Sequence, residues 1–104
     1  MAAEQESEIH EKRVLLIDSN PKTQQARAKL LRAHGVYVQT ADSIQEAELL
    51  WSPGFFNLIM LDIRENSAEA IAFWRRVKRE SPQQRILRLG APSVIHRVQN
   101  SGAA

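Results

Sequence analysis

The sequence predicts an α/β fold, a parallel sheet with helices on both faces. Three observations carry that expectation. Two apolar runs each end in an aspartate: Val14-Leu15-Leu16-Ile17 leads into Asp18, and Asn57-Leu58-Ile59-Met60-Leu61 leads into Asp62. Continuous apolar runs of this length suit strands buried on both faces of a sheet. Helical patterns lie between and after the runs, so strands and helices alternate along the chain. Glycine and proline fall where elements should stop, at Gly35, Pro53-Gly54 and Pro82. In such sheets, ligands bind beyond the carboxyl ends of the strands. Asp18 and Asp62 are therefore expected to meet in one crevice.

Residues 1–12 are polar and acidic and read as a disordered leader. Residues 13–18 form the first strand. Asn20-Pro21 supplies an N-cap and a proline at the first helical position. Ala26, Leu30 and Ala33 recur at helical spacing, with Leu31 beside them, and Gly35 ends that helix. Val36 to Thr40 is β-branched and aromatic and reads as the second strand. Ser43-Ile44-Gln45-Glu46 matches a capping box. Ile44, Ala47, Leu50 and Trp51 then share one helical face, which Pro53-Gly54 closes. Residues 57–62 are the third strand.

Ser67 or a neighbour caps a third helix. Its core face is Ala70, Phe73 and Val77, widened by Ile71 and Trp74, and Ser81-Pro82 ends it. Arg85-Ile86-Leu87-Arg88-Leu89 is a fourth strand, whose two arginines suggest an edge or an interface. Ser93 to Gln99 has the length for two helical turns, and residues 100–104 form a flexible tail. Residues 13–99 thus make one domain. Right-handed crossovers give the strand order 2-1-3-4, with the Asp18 and Asp62 strands adjacent.

Composition sets outer bounds. At 104 residues, 43% apolar and 25% charged, the chain suits one small globular core. The absence of cysteine excludes disulfides, thiolate metal sites and thiol catalysis. No apolar stretch reaches the length of a membrane span, and no signal-peptide order opens the chain, so a cytoplasmic location is expected. The net charge of +2 is uneven: Glu4, Glu6, Glu8 and Glu11 against Lys12 make the first twelve residues −3, leaving +5 on the rest. The late excess lies in Arg75, Arg76, Lys78, Arg79, Arg85, Arg88 and Arg97. Without aromatic residues alternating among these charges, a solvated face is favoured over a nucleic-acid surface.

These residues resemble the receiver domain of two-component response regulators, a flavodoxin-like fold. Val14 to Asp18 resembles the first-strand motif, and Asn57 to Arg64 the third-strand motif that ends in the phosphoacceptor aspartate. Ile71 to Lys78 continues the third-helix pattern in register. The resemblance covers roughly residues 13–91 without a gap. It implies that Asp62 accepts a phosphoryl group. It also implies that Asp18, the residue after it, Asp62 and the backbone carbonyl of Arg64 hold magnesium, a hard cation suited to oxygen ligands.

The departures from that pattern are as informative. Ser19 stands where the second first-strand acid belongs. Gly90 occupies the hydroxyl position after the fourth strand. Glu65-Asn66-Ser67 replaces the Met-Pro loop, and Ala70 a later glycine. No lysine follows Lys78, and the 13 residues after Ala91 are too few for a fifth strand and last helix, which are expected to be missing. The expectation is a degenerate, non-enzymatic receiver acting as a protein interaction module in signal transduction or transcriptional control. Phosphorylation at Asp62 and magnesium binding are expected to be weak or lost. The implied partner is a histidine kinase, an output domain or a second copy, with Arg85 and Arg88 on the contact surface. A working phosphoacceptor receiver cut from a longer regulator is one alternative, and a small basic nucleic-acid-binding domain another. No glycine-rich loop follows any strand, which ranks nucleotide or flavin binding low.

Among single residues, Ser19 and Asn20 read as caps for the first helix rather than as ligands. Trp51 and Trp74 read as core or rim packing. Phe55-Phe56 is expected to bury one ring and expose the other. His10, His34 and His96 share no metal spacing, and His34 suits a helix C-terminus.

Overall fold

A computed structural model describes residues 12–62 and 67–89. Four strands, β1 (Arg13–Asp18), β2 (Tyr37–Ala41), β3 (Leu58–Asp62) and β4 (Arg85–Leu89), alternate with three helices, α1 (Pro21–Ala33), α2 (Ile44–Leu50) and α3 (Ala68–Glu80). The strands pair in parallel in the order β2-β1-β3-β4, the order the crossovers require. β1 is buried along nearly all its length, as its unbroken apolar run demands. β2 begins one residue later than its sequence suggests, because the Tyr37 N–H bonds the Lys12 carbonyl and opens the ladder there.

Alternation along β1 and β3 divides the core between two faces. Leu15, Ile17, Ile59 and Leu61 point one way and pack with Ile44, Ala47 and Trp51 around α2, and with Ala70, Phe73 and Val77 of α3. Leu16 points the other way and packs with Val38 and with Ala28 of α1, where Leu31, Val36 and Met60 are partly buried. One face thus carries two helices and a large aromatic core. The other carries α1 and little more among the described residues.

The caps follow their chemistry. Asn20 Oδ1 accepts from the N–H groups of Lys22 and Thr23 at the start of α1, with Pro21 at the first helical position. Of the two residues expected to cap this helix, Asn20 does so, while Ser19 is exposed. Gly35 takes a φ of 83°, the left-handed conformation that lets the chain leave α1 without a Cβ penalty. Ser43 Oγ accepts from Glu46 N–H at 3.1 Å, half of the expected capping box. The returning bond runs from Asp42 N–H to Glu46 Oε1 rather than from the Ser43 N–H, so the carboxylate holds the residue before the cap. Ser67 Oγ caps α3 through Ala70 N–H.

Two helix faces depart from expectation. In α1 the apolar stripe read from Ala26, Leu30 and Ala33 is exposed, with Leu30 62% accessible. The helix instead turns Gln24, Arg27, Ala28 and Leu31 inward. The reason is polar: acceptors wait at the ends of β1, β2 and β3, and Gln24 and Arg27 reach them. In α3, Ala70, Phe73 and Val77 are buried as expected and Trp74 packs beside them, but Ile71 is exposed. The helix meets the sheet along a narrow stripe, and Ile71 lies off it.

The remaining aromatic residues sit as expected. Trp51 and Phe56 are buried, and Phe55 is exposed. Buried Gln84, not anticipated from the sequence, satisfies Trp51: its Oε1 accepts from the indole N–H at 2.9 Å, and its Nε2 donates to the Phe56 carbonyl. A polar pair in a core is tolerated when both members are bonded, and here both are. His34 is the C-cap residue of α1, as its position suggested. The expectations for residues 1–11, for Arg64 and Gly90, and for the stretch from Ala91 to the end lie outside the described residues.

Candidate functional site

The site is built at the carboxyl ends of β1 and β3. Pairing in register places Asp18 directly opposite Asp62, the last residue of each strand, as the sequence predicted. Both carboxylates are nearly buried. They form the floor of an open cleft of about 390 Å³, whose walls are Ser19, Asn20 and Pro21. Two carboxylates this close repel, and their burial removes the water that would otherwise screen them. A cation or several donors must answer that charge.

The protein supplies both. One Asp18 oxygen, Oδ1, accepts from the Asn20 N–H at 2.9 Å. The other, Oδ2, accepts from the Thr23 hydroxyl at 2.6 Å and from Arg27 Nη1 at 3.0 Å. The same Nη1 donates to Asp62 Oδ2 in a very short contact. Arg27 therefore bridges the two acids, with its own side chain only one-third exposed. The hydrogen bond it donates to Asp62 holds the Arg27 guanidinium above its usual value, and the charges of Asp62 and Asp18 add to this against the opposing effect of burial. Beside the bridge, Gln24 Nε2 donates to the Asp18 carbonyl and to Asp42 Oδ1, both at 2.8 Å, which ties α1 to the ends of β1 and β2.

Arg27 is the residue of this cleft that the sequence reading missed. The signal was present: Gln24, Arg27, Ala28 and Leu31 share a helical face, and Leu31 and Ala28 are that face's apolar members. Reading the helix from its apolar residues alone favoured Ala26, Leu30 and Ala33, with Leu31 beside them, and gave Arg27 no role. Arg27 lies nine positions after Asp18, across a turn and about two helical turns, so the long side chain can reach back to the strand end.

The resemblance implies a divalent cation here, and the described side chains do not fit one. A hard cation requires several anionic or carbonyl oxygens. Among the described residues no group of three or more Asp, Glu, His or Cys side chains is placed to hold a metal. The two carboxylates that do meet share one guanidinium, and the third family position is the neutral, exposed Ser19.

The sheet order and the paired acids at its carboxyl edge match the fold of receiver domains. Among solved structures, the non-phosphorylated HemR receiver domain from Leptospira biflexa is similar at a TM-score of 0.70 and 23% identity, covering 85% of this chain and 74% of that one. Response regulator TrrA from Thermotoga maritima, in complex with Mg2+-BeF, is similar at 0.63 and 22% identity, covering 77% and 70%. TrrA in complex with histidine kinase ThkA is similar at 0.66 and 24% identity, covering 77% and 69%. Neither a family model nor a curated protein matches the sequence. The chain has the fold of a response-regulator receiver domain. No helix among the described residues is long and apolar enough to cross a membrane.

Proposed function

We propose that this chain is a degenerate, non-enzymatic receiver that signals by binding a protein partner, with phosphoryl chemistry at Asp62 weak or absent. The observation that supports this reading is the Arg27 bridge. Phosphoryl transfer to a carboxylate needs a nucleophile open to in-line attack and a cation on the transferring oxygens. Here the Asp62 carboxylate is buried and bonded to a guanidinium that also holds Asp18. Incubation with acetyl phosphate and magnesium should leave the intact mass unchanged. A stable phosphoryl adduct that vanishes in Asp62→Asn would overturn the reading in favour of a working phosphoacceptor.

The partner surface in this proposal is the β4 edge. Among the described residues β4 pairs with β3 alone, so its other side presents backbone donors and acceptors. Leu87 is half-exposed on this strand, with exposed Arg85 and Arg88 on either side. A basic edge with one apolar foothold suits an acidic segment that adds as a strand. TrrA is found in complex with histidine kinase ThkA, and a kinase or an output domain is the corresponding partner class for this chain. The β4 amides that do not bond β3 should exchange quickly in dilute protein and slow when a partner associates. Protection that stays high at every dilution in a strictly monomeric sample would remove β4 from consideration.

A further inference from the structure

We infer that Arg27 is a built-in replacement for the metal ion of this site, and that its side chain, more than the missing acid at Ser19, keeps divalent cations out. The inference rests on the receiver reading of the cleft and goes beyond it by assigning the exclusion to one residue. Three observations support it. The Arg27 Nη1 atom lies within bonding distance of both carboxylates, at 3.0 Å from Asp18 Oδ2 and in a shorter contact with Asp62 Oδ2, so the two acids face a common point. That point is where a cation shared by them would sit, and a positive charge already occupies it. The opposing pairs along β1 and β3 fix the acids in register, so the guanidinium fits a position the backbone defines.

The remaining contacts show that the bridge is held from behind. Thr23 gives its hydroxyl to the same Asp18 oxygen, and the Asn20 N–H takes the other. Gln24, one turn before Arg27, anchors α1 to the Asp18 carbonyl. The guanidinium is thereby delivered by a helix pinned at its first turn. A divalent cation arriving from solvent would have to displace a tethered, always-charged group whose entropy has already been lost on folding. It would then find two carboxylates and the neutral Ser19. The sequence alone blamed Ser19; the geometry points to Arg27.

Those two explanations make opposite forecasts. Manganese, as a paramagnetic divalent probe, should broaden the amide signals of Ile17 and Leu61 only where it binds between the acids. The unaltered chain should show no site-specific broadening up to roughly millimolar metal, the weak end of carboxylate sites. Arg27→Gln, which keeps amide donors and removes the charge, should bind at least about tenfold more tightly. Ser19→Asp with Arg27 retained should gain less than Arg27→Gln. Site-specific binding by the unaltered chain at micromolar metal would overturn the inference. So would a Ser19→Asp gain equal to or larger than that of Arg27→Gln. The unaltered and Ser19→Asp arms do not depend on the stability of Arg27→Gln. An Arg27→Gln chain that unfolds and is restored by manganese supports the replacement directly, and one that stays folded yet binds no metal overturns it. A phosphoryl adduct on Asp62 would sink the proposed function by itself, whereas manganese binding to the unaltered chain would sink only the role given to Arg27.

Discussion

Arg27→Met should destabilise the domain by about 2–4 kcal/mol in urea unfolding. Removing one member of a buried ion pair costs roughly 3–5 kcal/mol, because the charge left behind has no water and no partner. The Arg27 side chain is one-third exposed, so solvent recovers part of that loss and lowers the figure. Two features keep it high: the change removes the cation shared by two nearly buried carboxylates rather than one, and they face each other across β1 and β3. Methionine keeps most of the length and apolar stem, so the loss reports charge more than packing. Asp62→Asn in the Arg27→Met background should then restore part of the loss, since it removes the repulsion. The same Asp62→Asn change in the unaltered chain should be destabilising. Coupling between residues in one network is typically of order 0.5–3 kcal/mol, well above the error of such cycles. Additive effects would show that the bridge does not hold this site together.

The sequence disclosed this fold through its strands. Val14 to Ile17 are buried on both faces and Leu58 to Leu61 are buried or partly buried, and a run without alternation has no other comfortable place in a small domain. The order β2-β1-β3-β4 followed from right-handed crossovers, and with it the meeting of Asp18 and Asp62. The helices were legible where their packing is apolar. Ala70, Phe73 and Val77 lie at helical spacing and do face the core. The failure came in α1, whose inner face is half polar. Hydrophobic periodicity cannot register a helix that turns inward to satisfy strand-end acceptors, and that is how Arg27 escaped notice. Gln84 escaped for a related reason. Its burial follows from the indole N–H of Trp51, 33 residues earlier in the chain, and no local pattern announces so distant a partner.

Phe73→Ala should cost about 3–5 kcal/mol, the range for truncating a fully buried aromatic side chain. Phe73 is 1% exposed and belongs to the larger core face, with Leu15, Ile17, Ile59 and Trp51 in the same cluster. It stands midway between Ala70 and Val77 on the narrow stripe by which α3 meets the sheet, so no larger neighbour on that stripe can fill the void. Domains of this kind are stable by only about 5–15 kcal/mol, so the variant should approach the limit of folding at ordinary temperature. Ile71→Ala is the control on the same helix. Ile71 is 43% exposed, and its truncation should cost under about 1 kcal/mol, even though sequence periodicity placed it on the core face. Urea midpoints for the two variants decide between the assignments. A loss at Ile71 equal to that at Phe73 would mean that α3 is rotated from the orientation seen here. The expected inequality also has a consequence for the site: α3 and α2 hold the back of β1 and β3 through this core, and the front of those strands carries Asp18 and Asp62. Phe73→Ala should therefore loosen the register that aligns the two acids, while Ile71→Ala should leave the amide signals of Ile17 and Leu61 unmoved.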